Sequence, residues 1–443
     1  MNSPTESSLD RFFARALRPF AKVEPREAVT AALLMLTVFL LLMAYYFLKT
    51  AREPLILLQG GAEVKSYAAA GQSLLLLFVV PAYSALARRV GRMKLLAGVY
   101  GFFALNLLVF AALVQAEVPL GVAFYLWVGI FNVTAIAQFW SFANDIYTPE
   151  QGKRLFAVLG IGSSVGAVAG AFIAKQLADL GPSAMMLGAS GVLVVCIALF
   201  AVVEGRERVA HKDDAKPDEP PVVDGLVRFL LRDKYLMLIA ALMFLLNCVN
   251  SNGEYILDRT LLEAVESGAA GTQDPSAFIG AFKGEYFGWV NLIGVLLQLF
   301  AVSRILHVIG VRRALYILPV VAFGSYSVIL AAPLLGLIRI GKIAENSLDY
   351  SVQNTARHAL FLVGTRAEKY VGKTIVDTII VRLGDVSSAG LVFLASHYAL
   401  PTKAFAALNL GFIACWIVVI TVLGREHLRR SERIEAGLSP SPT

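Results

Sequence analysis

Apolar residues in this chain collect into long runs that are separated by short polar connections. A helix needs about twenty apolar residues to cross the hydrocarbon core of a bilayer, and most of the runs reach that length. The pattern therefore predicts an all-α integral membrane protein with about twelve transmembrane helices. The expected segments lie near residues 28–58, 66–87, 94–115, 119–145, 153–179, 182–204, 226–250, 277–302, 312–333, 335–360, 371–397 and 403–424.

The connections alternate between strongly basic and weakly charged along the chain. Connections rich in Lys and Arg stay on the cytoplasmic side of a membrane, so we expect cytoplasmic termini and an outer loop at residues 252–276. Residues 205–224 are rich in Pro and in charged residues, a composition typical of a flexible linker between two halves. The predicted parts are a cytoplasmic amphipathic segment at 1–27, a six-helix bundle at 28–204, a cytoplasmic linker at 205–224, a second six-helix bundle at 225–425 and a cytoplasmic tail at 426–443.

Composition excludes several classes of protein. Of the 443 residues, 57% are hydrophobic and 16% are charged, which is too apolar for a soluble domain of this length. The net charge of +7 comes largely from the connections, so no nucleic-acid partner is expected. Cys196, Cys248 and Cys415 lie in apolar runs and are predicted to be small core residues. We expect no metal, no cofactor and no enzymatic activity, and a monomer in the bilayer of the cell inner (plasma) membrane.

Two glycine-containing motifs are not expected to form nucleotide-binding loops. Gly372-Lys373-Thr374 lacks the glycine that a phosphate loop needs five residues earlier, where the chain has Ala367. Gly162, Gly166 and Gly170 recur at steps of four, the small-residue spacing of closely packed membrane helices. We therefore predict a close helix contact at these three glycines and tolerance of substitution at the neighbouring Val165.

A charged face ends the first apolar run. Counted from Tyr45, offsets of four, seven and eight place Lys49, Arg52 and Glu53 on one side of a helix. Apolar Leu55–Leu58 follow, so these charges lie within a membrane segment and must face protein or a water-filled cavity. Two cations and one anion on one face indicate a pocket for an anionic solute. The alternative is an internal clamp in which the cations pair with Glu53.

Polar side chains also interrupt later apolar runs. Asn144 and Asp145 stand beside aromatic residues near the cytoplasmic end of the fourth segment, and Glu254 follows three asparagines at the outer end of the seventh. A polar stripe along the tenth segment, at steps of three and four, consists of Arg339, Lys342, Glu345, Asp349, Gln353 and Arg357. Such a stripe cannot face lipid, so it is expected to line a cavity or gate.

The eleventh segment carries a second set of charges. Lys373 and Asp377 lie one turn apart, and Arg382 and Asp385 follow them. Some charged neighbours serve only as latches between helices. Spacing favours the pairs Lys373–Asp377 and Lys342–Glu345 for that role.

A repeated basic turn supports two related halves. Residues 86–95 follow the second segment of the first half, and residues 304–313 occupy the equivalent place in the second half. The first copy resembles the loop signature of the major facilitator superfamily, although Arg88 stands where that signature usually has Asp. Together with twelve segments and a central linker, the resemblance implies the major facilitator fold.

Three further stretches resemble one outlying branch of that superfamily. Phe139–Asp145 is similar to the Phe-Trp-x-Phe-Ala-Asn-Glu pattern of the nucleotide transporters typified by the ATP/ADP translocases of plastids and intracellular bacterial parasites. Val371–Asp377 resembles that family's Lys-Gly-Lys-x-x-x-Asp stretch, and Lys49–Leu55 stands where it has a basic turn in its first helix. The tenth segment departs from the family, with Arg357-His358 where an acidic residue is usual.

The resemblance implies a nucleotide transporter, and the charge pattern independently predicts an anion site between two halves that alternate in access. In the family, charged residues needed for transport fall at the positions of Arg52, Asp145, Glu254 and Lys373. The expected substrate-binding residues are Lys49, Arg52, Asn144, Asp145, Glu254, Arg357 and Lys373. The expected gating or coupling residues are Glu53, Lys342, Glu345, Asp349, Asp377 and Asp385.

Two other functions stay open at this point. One is a proton-coupled facilitator of another organic anion, a siderophore or a drug, with Glu53, Glu345 or Asp349 as the proton carrier. The other is a membrane protein without transport activity, whose polar stripe holds an assembly together. The predicted function is exchange of nucleotides of the ATP/ADP type.

Overall fold

The structure is a computed structural model that describes residues 12, 23–87, 89–207 and 226–436. The regular elements among these residues are helical, as predicted. The principal α-helices are Pro25–Ala87 (α1), Arg92–Gln115 (α2), Gly121–Ile146 (α3), Pro149–Leu177 (α4), Gly181–Glu207 (α5), Leu226–Arg232 (α6), Lys234–Glu266 (α7), Pro275–Leu296 (α8), Val302–Ala314 (α9), Ile317–Ala331 (α10), Leu335–Leu348 (α11), Asn354–Leu360 (α12), Val381–His397 (α13) and Thr402–Glu435 (α14). Eight helical stretches are long and apolar enough to cross a membrane, and α10 is a shorter apolar helix.

The longest helix, α1, contains two predicted membrane segments. It has 63 residues, which at about 1.5 Å per residue would extend roughly three times the thickness of a hydrocarbon core. Its backbone leaves the helical conformation at Gly61, where φ is 77° and ψ is −179°. Because positive φ is open to glycine at little cost, the chain breaks there. The break separates the predicted segments 28–58 and 66–87.

The described residues pack into two units. Unit 1 is formed from Met1–Gln59, Leu75–Asp214 and Ala270–Gly288, and unit 2 from Gly60–Leu74, Ala215–Ala269 and Trp289–Thr443. The division at residue 214 falls within the predicted linker, most of which lies outside the described residues. Relative to the predicted bundles, each unit takes one short stretch from the other half of the sequence. The bounds of the two six-helix bundles stay a prediction.

Close packing in unit 1 joins α4 to α1 through the predicted glycines. A Cβ placed on Gly166 would lie 2.2 Å from the carbonyl oxygen of Phe39, and one on Gly162 would lie 2.7 Å from that of Met35. Backbones approach this closely only where no side chain intervenes. The predicted helix contact is therefore confirmed, and the adjacent Val165 is 48% exposed.

Aromatic side chains fill another part of unit 1. The Trp127 ring stacks on Phe124 and Phe131 with centroid separations of 5.8 and 5.9 Å, and it meets Phe103 edge to face. These rings join α3 to α2, because large aromatic groups bury much apolar area at little conformational cost.

In unit 2, α7 is the helix that differs most from its prediction. The predicted segment at 226–250 is wrong in its bounds, because a break at Asp233 separates α6 from α7 and α7 continues to Glu266. Its run of asparagines suggested an end, but these amides have partners inside the unit. Asn252 donates to the Asn409 side-chain oxygen at 3.1 Å and accepts from the Ser388 hydroxyl at 2.6 Å. Satisfied amides allow the helix to continue.

Arg430 fastens α14 to unit 2. Its guanidinium lies 2.6 Å from the Asp233 carboxylate and 3.1 Å from that of Glu368, and its residue is 3% exposed. Burial alone would raise the pKa of the Asp233 carboxyl. The hydrogen bond from the Leu236 N–H and the side-chain hydrogen bonds of Asp233 with Glu368 and Arg430 instead hold that pKa below its ordinary value. The helix consequently continues to Glu435, whereas the sequence predicted an end near residue 424.

Among the described residues of unit 2, four turns of π-helix interrupt the helices. They are Leu297–Ala301, Asp349–Gln353, Glu368–Gly372 and Val376–Ile380. The tenth predicted segment is therefore α11, a π turn and α12 in succession, and the eleventh begins with two π turns around one α turn. A π turn contains more residues than an α turn, so spacing rules based on 3.6 residues fail across it. The predicted amphipathic segment at 1–27 lies mostly outside the described residues.

Candidate functional site

The charged face of α1 forms a buried ion-pair cluster in unit 1. Glu53 is fully buried, and its carboxylate lies 3.2 Å from the Arg52 Nε and 3.6 Å from the Lys283 Nζ. Lys283 comes from α8 and is also fully buried. One carboxylate is therefore shared by two cations. The predicted clamp, in which cations pair with Glu53, is present, and Lys283 is its second cation.

Aromatic faces complete this cluster. The Lys49 Nζ lies 4.2 Å from the centroid of the Phe287 ring, and the Arg52 guanidinium carbon lies 4.4 Å from that of Tyr125. Aromatic faces carry partial negative charge and stabilise cations without neutralising them. We name Lys49, Arg52, Glu53 and Lys283 the unit 1 cluster. It holds three cations and one carboxylate.

The backbone beside the cluster offers further polar atoms. Pro54 lies inside α1 and has no N–H, so the Thr50 carbonyl cannot receive its usual helical hydrogen bond. The Thr50 hydroxyl is buried and has no hydrogen-bond partner in the described part of the chain. Polar atoms that a helix leaves unpaired within an apolar segment are suited to a ligand or to water.

Asn144 and Asp145 lie elsewhere in unit 1. Both are exposed at the end of α3, and the Asp145 carboxylate lies 3.7 Å from the Arg92 guanidinium. Arg92, from the first basic turn, also pairs with Glu204 at the end of α5. The basic turn is thus fastened to two helix ends. The structure does not bring Asp145 into contact with the unit 1 cluster among the described residues.

Unit 2 contains a second buried network, centred on Lys342. Its Nζ lies 3.3 Å from the Glu345 carboxylate, 3.8 Å from that of Glu254, and 2.9 Å from the Asn250 side-chain oxygen. The predicted pair Lys342–Glu345 is confirmed. Glu254 lies within α7 and not at an outer end, because the helix is longer than predicted.

A small cavity of about 20 Å³ adjoins this network. One carboxylate oxygen of Glu345 and the indole N–H of Trp416, two residues that line it, have no hydrogen-bond partner in the described part of the chain. Asp349 lines the same cavity. The space and the unpaired acceptor and donor suit one ordered water molecule.

A larger cavity of about 420 Å³ lies beside the predicted stripe. Asp349 and Arg357 line it together with Asn247, Asn250 and Asn354. The Arg357 guanidinium donates to the Asn354 side-chain oxygen at 2.8 Å. The cavity is large enough for part of an organic ligand, and its amides can donate and accept hydrogen bonds.

The predicted pair Lys373–Asp377 is wrong. Asp377 lies 3.6 Å from the Arg357 guanidinium instead, and no ion pair joins Lys373 to Asp377 among the described residues. The reason is the π turn at Val376–Ile380, which removes the stacking of residues four apart. Lys373 itself is half-buried.

Asp385 is held in a hydrogen-bonding group on α13. Its carboxylate accepts from the Asn247 amide at 2.7 Å and from the Ser73 hydroxyl at 2.6 Å, and it lies 3.7 Å from the Arg382 guanidinium. These contacts connect three helices of unit 2. They fix the position of the Asp385 carboxylate within that unit.

Two buried ion pairs contain cations that sequence analysis did not select as site residues. Lys283 stands with Glu285 in an otherwise apolar run, and Lys65, in the connection between the predicted segments 28–58 and 66–87, is buried and lies 2.7 Å from Asp258. Lys283 could have been selected from the sequence, because a charge within a membrane segment marks a functional or paired position. The Lys65 pair was hidden by the break at Gly61, which made its surroundings resemble a loop.

Cysteines and metal-binding geometry add little to the site. Cys196 and Cys248 are buried as predicted, whereas Cys415 is exposed on α14, so its assignment to the core was wrong. Among the described residues, no group of three or more His, Cys, Asp or Glu side chains is arranged to hold a metal ion.

Comparison with known proteins gives relatives and structural neighbours. The family model for the Major Facilitator Superfamily matches residues 29–364. The chain is 22% identical over 359 residues to ADP,ATP carrier protein 1 of Chlamydia pneumoniae, a match that covers 70% of this chain and 68% of the relative. It is 22% identical over 353 residues to the protein of that name from Chlamydia trachomatis serovar D, covering 70% of this chain and 65% of the relative. The chain thus spans about two thirds of the length of these relatives.

Solved structures of transporters show the same fold. The nucleoside transporter NupG superposes with a TM-score of 0.64 at 11% identity, covering 89% of this chain and 98% of that chain. A bacterial homologue of the iron transporter ferroportin superposes with a TM-score of 0.63 at 14% identity, with the same coverage. The predicted fold class and the resemblance to the ATP/ADP carrier type are confirmed, and the protein is a membrane transporter rather than an enzyme. With most of its length matched by one family model, the chain belongs to the Major Facilitator Superfamily.

Proposed function

We propose that the protein exchanges nucleotides of the ATP/ADP type across the membrane by alternating access. The observation that carries this proposal is the unit 1 cluster, in which Arg52 and Lys283 contact the buried carboxylate of Glu53 while Lys49 lies against the Phe287 ring. Cations held within apolar helices can bind the charged groups of an anionic substrate. Phosphate groups match several cations better than a small monovalent anion does.

Arg52 is suited to hold a phosphate. The Arg52 Nε donates a hydrogen bond to the Glu53 carboxylate, and the flat guanidinium lies against the Tyr125 ring. These two contacts hold the side chain in place. A guanidinium can bind two phosphate oxygens at once, which an ammonium group cannot do. The relatives named ADP,ATP carrier protein support this substrate class.

The larger cavity of unit 2 has groups of its own that suit an organic anion. Arg357 supplies a cation, and Asn247, Asn250 and Asn354 supply amides that can hydrogen-bond a base or a sugar. Lys373, Asp145, Asn144 and Glu254 remain candidates on the resemblance alone. Lys342, Glu345, Asp349, Asp377 and Asp385 are proposed to gate or couple transport rather than to bind nucleotide. We further propose a monomer in the inner membrane with both termini in the cytoplasm.

The proposal is tested with purified protein in proteoliposomes. Uptake of labelled ATP or ADP is expected only when unlabelled nucleotide is present inside, because an exchanger needs a counter-substrate. Unrelated organic anions should not replace the internal nucleotide. Accumulation into empty vesicles driven by a pH gradient alone would instead establish the proton-coupled alternative, for which Glu345 and Asp349 at the small cavity are the candidate carriers.

Variants of Arg52 connect the function to the cluster. Arg52→Ala should abolish nucleotide binding while the protein still folds, because Glu53 retains Lys283. Arg52→Lys should weaken binding by about 1–3 kcal/mol, the strength of a charge-assisted hydrogen bond. Arg259→Ala is the matched control, since Arg259 pairs with the exposed Glu263 at 3.1 Å. Nucleotide affinity that is unchanged in Arg52→Ala would exclude Arg52 as a ligand.

A further inference from the structure

The second basic turn, which the proposed function does not use, borders a cavity of about 520 Å³ in unit 2. The backbone of α9 turns at Gly310, where φ is 76°, a value in the left-handed region that favours glycine. Residues of α14 line the rest of the cavity. No residue predicted to bind substrate lines it, so this cavity is separate from the sites described above.

Three arginines, Arg312, Arg313 and Arg425, line the cavity. In the described part of the chain, no carboxylate lies within 4.0 Å of any of the three. The contrast with Arg430 on the same helix is clear, because Arg430 lies against two carboxylates. Among the described residues that line the cavity there is no Asp or Glu to balance the charge of these arginines. Converging guanidinium groups are the arrangement that proteins use for phosphate.

The walls of the cavity hold their positions through packing and hydrogen bonds. A Cβ on Gly424 would lie 3.5 Å from the Arg312 Nε, so the arginine side chain runs closely past α14. The Tyr316 hydroxyl lies 2.7 Å from the Thr421 hydroxyl, and the His427 Nδ1 lies 2.8 Å from the Tyr235 hydroxyl. Preformed walls reduce the entropy that a ligand must pay on binding.

The edge of the cavity is apolar. Leu428 lines it and is 41% exposed, and Val308, just before the turn, is 76% exposed. Cations beside exposed aliphatic groups in a membrane protein suit a ligand with a charged head and an apolar tail. The same cations would also accept a free phosphate.

We propose that this cavity binds a phosphate-bearing anion through Arg312, Arg313 and Arg425. The phosphate belongs either to an anionic phospholipid or to a soluble ion. Arginine at three positions makes binding strongly dependent on charge, and each cation near a membrane surface contributes measurably to the attraction of anionic lipid.

The test uses the full-length protein, purified in detergent, with two ligands. One arm adds phosphatidylglycerol, with phosphatidylcholine as the uncharged comparison, and the other adds inorganic phosphate. Melting temperature and native mass spectrometry report binding. The variant carries Arg312→Gln, Arg313→Gln and Arg425→Gln together, and the matched control is Arg429→Gln, whose side chain is 72% exposed and outside the cavity lining.

We expect wild type and Arg429→Gln to be stabilised by phosphatidylglycerol, and the triple variant to bind it at least about tenfold more weakly. Stabilisation by phosphatidylglycerol alone identifies a lipid headgroup, and stabilisation by both ligands identifies phosphate itself as sufficient. Equal binding by the triple variant and wild type, or no binding in either arm, overturns the proposal. If the triple variant does not fold, the three single variants are measured instead. Nucleotide uptake is not a readout, so this test is independent of the proposed function.

Discussion

The contact between α4 and α1 allows a substitution experiment whose size follows from the geometry. In Gly166→Ala the new Cβ would lie 2.2 Å from the Phe39 carbonyl oxygen, whereas ordinary contacts begin near 3.4 Å. The two helices must therefore move apart by about 1 Å at this point. Overpacking of this kind costs about 1–3 kcal/mol. We expect the melting temperature of the purified variant to fall.

Gly160→Ala is the matched control on the same helix. A Cβ on Gly160 would have no heavy atom within 4 Å. Alanine favours a helix over glycine by about 1 kcal/mol at both positions, so this term cancels when the two variants are compared. The difference between their stabilities then isolates the clash with Phe39, and it should be about 1–3 kcal/mol. Equal melting temperatures for the two variants would refute the packing argument.

Two ion-pair predictions concern the buried charges. Glu53→Ala leaves Arg52 and Lys283 without their shared carboxylate and should destabilise the protein by about 3–5 kcal/mol. Adding Lys283→Met should restore part of the melting temperature. A Glu53→Ala protein that melts like wild type would mean that the ion pairs of Glu53 contribute nothing to stability. Lys342→Met leaves the Glu345 carboxylate buried without its cation and should cost a similar amount, and adding Glu345→Gln should restore stability. A double variant less stable than Lys342→Met alone would contradict this account.

Sequence patterns identified the helices well because long apolar runs have few alternative structures in a membrane. The pair Lys342–Glu345 was also predictable, since α11 keeps an α-helical spacing of three residues. The pair Lys373–Asp377 was not, because its spacing assumed a regular helix where the chain forms π turns.

Contacts between distant parts of the chain were the other source of error. The length of α7 depends on Asn252 finding Asn409, a partner 157 positions away. The role of Glu53 likewise depends on Lys283 from another helix. Periodicity along one segment carries no information about such partners, so a single sequence predicts which residues are charged and buried but not which of them meet.

The π turn at Asp349–Gln353 gives its helix a choice of register. The extra residue of a π turn can move along the helix one position at a time as backbone hydrogen bonds exchange partners. Each residue that it passes rotates by about 100° around the helix axis. Neither polar atom of the Gln353 amide makes a hydrogen bond in the described part of the chain. An unsatisfied buried amide costs about 1–3 kcal/mol. This cost reduces the free-energy difference between the present register and one in which the Gln353 amide is hydrogen-bonded. Such a shift would turn Arg357 towards or away from its cavity without unfolding a helix.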